Sequence, residues 1–243
     1  MIYYPIEKFL AKYTDKLITI TKEDFDLARL KFNTEIAHVH GVGVSSERYY
    51  PYSEQEKSKI RRELGFSEKE IILLCTGELN KNKNQKTVIE AVAKITKDIP
   101  ALKLLVAGNG PLEKTLMEQT EHLKISESVD FLGYRTDLEK FVNISDIIIS
   151  ASHREGLPLN IMEGMLCKKP IIASDNRGHR ELLVDGISGS LIHYNDAESY
   201  KNAIIHYINN AEDVKKYSSN AYDSVKTYSK TNVVKELKKI YEV

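Results

Sequence analysis

DIIISASHREGLPLNIMEGMLCKKPIIASD, residues 146–175, decides the fold. Ile147 to Ile149 form a short apolar run, Gly156 and Pro158 break it, and Ile161, Met162, Met165 and Leu166 follow at helical spacing. A second apolar run then begins at Pro170. Short runs with few polar alternations are what strands buried on both faces look like, so the stretch reads strand, helix, strand. The same unit repeats outward. EIILLCTG (70–77), ALKLLVAG (101–108), VDFLG (129–133) and GSLIHY (189–194) are further strand candidates. KTVIEAVAKI, LEKTLMEQTEHL, DLEKFVNI and HRELLVDG carry helical periodicity between them. The expected fold is α/β, a doubly wound parallel sheet that binds ligands at the carboxyl edge of its strands.

Residues 1–44 read differently. Ile6, Phe9, Leu10 and Tyr13 fall on one helical face, KLITIT (16–21) and IAHVH (36–40) resemble strands, and Thr21 with Asp24 resembles a capping box opening a helix through Leu30. Two strands and two helices need a partner surface for their apolar faces. GVGVSSERYYPYS (41–53) suits a linker. After residue 195 come a helix and a Lys/Glu/Tyr-rich helical tail expected to pack back across the molecule.

The chain has 243 residues, with 35 basic side chains against 35 acidic ones. A zero balance argues against a partner held by bulk charge, such as duplex nucleic acid. Cys75 and Cys167 lie inside apolar stretches without metal-ligand spacing, which predicts two buried, reduced thiols. No segment is apolar for long enough to span a bilayer, and Pro5 and Glu7 interrupt any signal-like start. The expected location is the cytoplasm, either free or peripheral at the inner membrane face.

Chemistry concentrates between Ser152 and Gly186. Glu155 ends a strand-to-helix loop, Pro158 suits the first turn of the next helix, and Glu163 lies a turn inside it, so both carboxylates can face the sheet edge. The amides near Leu159 and Asn160 are free donors at a helix N-terminus, a natural seat for phosphate. A carboxylate beside that seat can accept from hydroxyls. A Glu pair eight apart is unremarkable on its own, Lys81 and Lys83 lie in an Asn/Lys loop that solvation alone would explain, and Arg135 could be a surface partner of Asp137.

Glu155, seven intervening residues and Glu163, inside EGLPLNIMEGM and followed by PIIASDNRGHRELLVDGISGSLI, closely resemble the retaining glycosyltransferases of family 4, also called group 1. GELNKNKNQKTVIEAV, LLVAGNGPLEKTL and VDFLGYRTDLEKFVNISDIIISAS resemble that family's preceding blocks in the same order. The resemblance implies a GT-B arrangement in which residues 45–212 form the Rossmann-like nucleotide-sugar-binding lobe, 1–44 the end of an acceptor lobe with its linker, and 213–243 a helical tail. It implies that Glu163 binds the ribose hydroxyls and that Glu155 is the catalytic-site carboxylate near the transferred sugar. The amides near Leu159 and Asn160 would lie at the phosphates, Lys83 would neutralise the departing diphosphate, Gly110 and Gly156 would line the donor site, and Tyr134 and Arg135 would sit beside the base. No metal or other cofactor is implied.

Two departures qualify the resemblance. Glu78 follows Gly77 where many members carry an arginine, which removes one cation from the diphosphate clamp. Most of the acceptor lobe has no counterpart, so the expectation is the donor-binding half of a two-lobe enzyme. The first function expected is transfer from a UDP-sugar, by a hexosyl- or N-acetylhexosaminyltransferase, to a glycan or lipid-linked acceptor in cell-surface polysaccharide biosynthesis. The alternative is a non-catalytic nucleotide-sugar-binding fragment or subunit that pairs with a separate N-terminal-lobe polypeptide. A dinucleotide-dependent oxidoreductase is disfavoured, because Gly108 and Gly110 are followed by Glu113 where the third glycine belongs.

Overall fold

Alternation of single residues buries the main sheet on both faces: Ile72 and Leu74 belong to one apolar layer, Leu73 and Cys75 to the other. The computed structural model describes residues 3–241. In chain order the elements are α1 (Tyr3–Leu10), β1 (Lys16–Thr19), α2 (Lys22–Lys31), β2 (Glu35–His38), α3 (Glu54–Glu63), β3 (Ile71–Thr76), α4 (Gln85–Ala93), β4 (Leu102–Ala107), α5 (Glu113–His122) and β5 (Val129–Gly133). They continue as α6 (Leu138–Ile144), β6 (Ile147–Ser150), α7 (Leu159–Leu166), β7 (Ile171–Ser174), α8 (Arg177–Leu182), β8 (Ser190–Ile192), α9 (Ala197–Asn209), α10 (Ala211–Val225) and α11 (Lys230–Tyr241).

The six strands from β3 onward form one parallel sheet in the order β5-β4-β3-β6-β7-β8. The chain winds outward from β3 to β5, returns to β6 beside β3, and winds outward again. The order reverses between β3 and β6, and a crevice opens there at the carboxyl ends. Val88, Ile89 and Val92 of α4 with Tyr200 and Ile204 of α9 cover one face. Phe141, Ile161, Met162 and Met165 with Ala221 and Val225 of α10 cover the other. Cys75 and Cys167 are free and buried. Gly164 lets α7 approach the sheet, since a Cβ there would lie 2.9 Å from Ile148 Cγ1 and 3.0 Å from Ile171 Cδ1.

Strands β1 and β2 pair in parallel as a separate two-stranded sheet. Thr21 caps α2 as the sequence predicts, accepting from the Asp24 amide at 3.2 Å. The start of α2 docks on α8: Lys22 N donates to Glu181 at 2.7 Å, Arg180 pairs with Glu23 at 2.8 Å, and Arg177 with Asp24 at 2.5 Å. Ile6, Phe9, Leu10 and Tyr13 remain exposed.

Three local readings change. The helix expected over HRELLVDG starts earlier and stops at Leu182, because Val184 to Gly189 turn through an Asp185–Gly189 bridge. Helix α3 had no counterpart in the sequence reading; Ser53 and Glu56 close a capping box at its start. The 41–53 stretch is a packed segment: Val44 bridges Ser229, its amide donates to Tyr228 O at 2.9 Å, and Tyr49 is buried. The tail does return to the N-terminal elements, where Glu236 of α11 meets His40 Nδ1 at 2.6 Å. Among the described residues no helix is long and apolar enough to cross a membrane.

Candidate functional site

Three strand ends meet in the crevice. Gly77 N donates to Ala107 O at 2.9 Å and Gly108 N to Gly133 O at 2.8 Å, which continues the sheet past β3 and β4. Gly108 has φ +135, and a Cβ there would fall 2.1 Å from Gly77 O, so only glycine fits. The resulting cavity, of about 590 Å³, is walled by these turns, by Tyr134, and by the loop and first turn of α7.

Lys83 reaches this cavity from the loop after β3. Its amide donates to Asn80 Oδ1 at 2.9 Å, and its aliphatic stem crosses the Cα of Gly77, whose missing side chain leaves the room. The ammonium ends 2.6 Å from Glu155 Oε1, with the two side chains 23% and 12% exposed. Glu78, the departure from the arginine pattern, also lines the cavity and accepts from Asn80 Nδ2 at 2.8 Å.

Pro158 precedes α7, so the amides of its first turn have no partner within the helix and open toward the crevice. Asn160 is tied down by its side chain, which donates to Thr76 O at 3.2 Å. Glu163 follows one turn later with most of its carboxyl out of water. Burial pushes that carboxyl up to about 7, while hydrogen bonding from the Tyr49 hydroxyl and the charge of Arg48 pull it down. Arg48 is itself held by Glu139 at 2.7 Å and by Thr136 O.

Lys83, Tyr134, Arg135, Glu155, Leu159, Asn160 and Glu163 therefore line one cavity. Arg135 is engaged in a bidentate pair with Asp137 at 2.9 Å, which holds the Asp137 carboxyl below its ordinary range, and its guanidinium stacks 4.9 Å from the Phe141 ring. Tyr134 is exposed at the rim.

Gly110 and Gly156 lie outside that wall. Gly110 serves close packing, since a Cβ would lie 2.4 Å from Leu79 O, and Gly108 and Asn109 form the wall in its place. Gly156 lines a neighbouring cavity. Sequence reasoning missed Tyr49 and Arg48, which come from the non-periodic 41–53 stretch; the aromatic cluster RYYPY was the available signal. Among the described residues no three His, Cys, Asp or Glu side chains are grouped to hold a metal ion.

The family described as "Glycosyl transferases group 1" matches residues 56–224. EpsD of Bacillus subtilis (strain 168), a glycosyltransferase by name, is 38% identical over 243 residues, covering 99% of this chain and 64% of that protein. The N-acetyl-alpha-D-glucosaminyl L-malate synthase of Bacillus anthracis is 28% identical over 78% of this chain and 50% of its own length. The chain thus spans about half to two thirds of the length of these relatives. The crystal structure of Anabaena Alr3699/HepE in complex with UDP superposes with a TM-score of 0.87 at 22% identity, over 99% of this chain and 66% of that one. The same protein has also been solved in complex with UDP-glucose. At that identity the likeness establishes the shared fold.

Proposed function

Because the chain belongs to the group 1 glycosyl transferases, we propose that it forms the donor half of a configuration-retaining glycosyltransferase that takes a UDP-sugar. The convergence of Lys83, Glu155, Glu163 and the first turn of α7 on one cavity carries this reading. A nucleoside diphosphate sugar needs an acceptor for its ribose hydroxyls, donors for its phosphates and a group beside the sugar. Glu163 accepts from the ribose, the amides near Leu159 and Asn160 with Lys83 hold the diphosphate, and Tyr134 covers the base.

Breaking the bond between the sugar and the diphosphate leaves charge on the departing phosphate oxygens, and donors fixed in advance stabilise that charge most. Lys83 is such a donor, held in place by Glu155. Glu155 lies beside the sugar, so it orients the donor while the acceptor hydroxyl attacks. UDP in the solved Anabaena complexes supports uracil as the base.

The exposed apolar residues of α1 favour a covering surface, and the acceptor in this reading is a glycan or lipid-linked sugar of cell-surface polysaccharide. The same observation favours a second reading, in which this chain binds the donor and a separate N-terminal-lobe polypeptide completes the enzyme.

Calorimetric titration with UDP, UDP-glucose and GDP-mannose tests the donor assignment. Tighter binding of the uridine ligands is expected, with sharp weakening on Glu163→Ala. Binding by that variant equal to the parent chain's refutes the ribose contact.

A further inference from the structure

Glu155 lines two cavities and is the one residue that these two share. The first is the donor cavity. The second, of about 550 Å³, is walled by Glu155 together with Asn82, Arg154, Gly156 and Arg177. A transfer reaction brings two substrates to one point, so a cavity that shares only Glu155 with the donor site is placed for the second substrate.

Its walls are basic and fixed. Asn82 clamps the backbone of Arg154 from both sides: its Nδ2 donates to Arg154 O at 2.9 Å and its Oδ1 accepts from Arg154 N at 3.2 Å. The preceding amide, His153 N, donates to Asn82 O at 2.7 Å. The Arg154 guanidinium, by contrast, pairs with no carboxylate among the described residues. Across the cavity Arg177 is held in the first turn of α8, where Gly178 abuts the Glu155 loop so closely that a Cβ would fall 2.6 Å from Gly156 O.

Charge decides what fits. Lys83 neutralises Glu155, and Asp24 offsets Arg177 at 2.5 Å, so Arg154 is the uncompensated charge. An exposed arginine without a partner is ordinary, but here its backbone is clamped and its neighbour in sequence is the proposed reaction-site carboxylate. The planar guanidinium fork matches phosphate oxygens better than neutral hydroxyls do. We propose that this second cavity binds a phosphate or diphosphate group on the sugar acceptor, with Arg154 as the specificity-determining residue and Arg177 as its partner. The inference rests on the donor reading above.

The test uses the full chain saturated with UDP, so that the donor cavity is filled, and titrates inorganic pyrophosphate. Arg154→Ala is expected to weaken pyrophosphate about tenfold or more, and Arg154→Lys to fall between, since it keeps the charge and loses the fork. UDP affinity and melting temperature stay unchanged in both, because Arg154 is exposed and lies outside the donor wall. Farnesyl diphosphate separates the sources: Arg154-dependent binding tighter than that of pyrophosphate points to a lipid-borne ester, and equal binding to a soluble one. If UDP binds while pyrophosphate binding is absent or insensitive to Arg154, this proposal is overturned and the donor reading stands. If UDP itself fails to bind, both fall.

Discussion

The Lys83 ammonium and the Glu155 carboxylate lie 2.6 Å apart at the carboxyl edge of the sheet. Each comes from a different loop, one after β3 and one after β6, so the pair spans the point where strand order reverses. A cation held this way is already in place when phosphate arrives, and little side-chain freedom is lost on binding. Lys83→Ala should therefore weaken UDP by about 30-fold or more while leaving uridine binding within about twofold. Calorimetry with both ligands separates these effects. Equal losses for UDP and uridine would show that the lysine shapes the pocket without touching phosphate.

Glu163 should make nucleotide binding pH-dependent. Its carboxyl sits at about 7 because burial raises it, so near neutrality only part of the population is ionised. The ionised form is the better acceptor for ribose hydroxyls. UDP affinity is thus expected to rise as pH increases from 6 to 8, with proton release on binding. Glu163→Gln should bind about tenfold more weakly and flatten that rise. Tyr49→Phe removes a group that pulls the carboxyl down, so its profile should move to higher pH. An unchanged profile in Tyr49→Phe would contradict the coupling.

Much of this site was legible because it lies on elements whose identity is local. The apolar runs at Ile72 to Cys75 and Ile147 to Ile149 announce buried strands, and Glu155 and Glu163 follow from the loop and helix after the second of them. What escaped was non-local. Tyr49 reaches Glu163 across more than a hundred residues, from a stretch whose structure comes from packing and from the Val44–Ser229 bridge rather than from any period. Gly110 illustrates the converse: the family resemblance puts it at the donor site, whereas its close approach is to the Leu79 backbone. The second cavity was invisible for the same reason, because Asn82, Arg154 and Arg177 meet only after the sheet has assembled.

Steric fit between α8 and the Glu155 loop should be measurable as stability. At Gly178 a Cβ would lie 2.6 Å from Gly156 O and 2.8 Å from Glu155 C, both backbone atoms that cannot swing aside. At Gly65 a Cβ would meet nothing within 4 Å, but φ is +82. Gly178→Ala should therefore cost about 2–4 kcal/mol by overpacking, against about 1 kcal/mol for Gly65→Ala from backbone strain alone. Urea unfolding of both variants provides the comparison. Gly178→Ala should also weaken UDP-sugar binding, because the loop that carries Glu155 is what must move.

Two buried groups should act on stability with opposite signs as the solution is acidified. His179 is wholly buried, its Nδ1 lies 2.7 Å from Ser174 O, and burial pushes it down to about 4. In the unfolded chain an imidazole takes up its proton near 6.5, so between pH 6.5 and 4 the unfolded state binds more protons and stability falls as pH falls. Glu163 does the reverse. Its carboxyl, raised to about 7 from an ordinary value of 4.5, binds its proton more tightly when folded, so stability rises as pH falls from 7 to 4.5. Each shift corresponds to about 3 kcal/mol, so the two largely offset in the parent chain. Glu163→Gln removes the protective member and should make the protein more acid-sensitive between pH 7 and 4.5 than the parent, whereas His179→Gln should make it less so. Denaturant midpoints across that range resolve the two slopes even if each variant is less stable throughout. Parallel slopes in all three proteins would mean that neither group changes its proton affinity on folding.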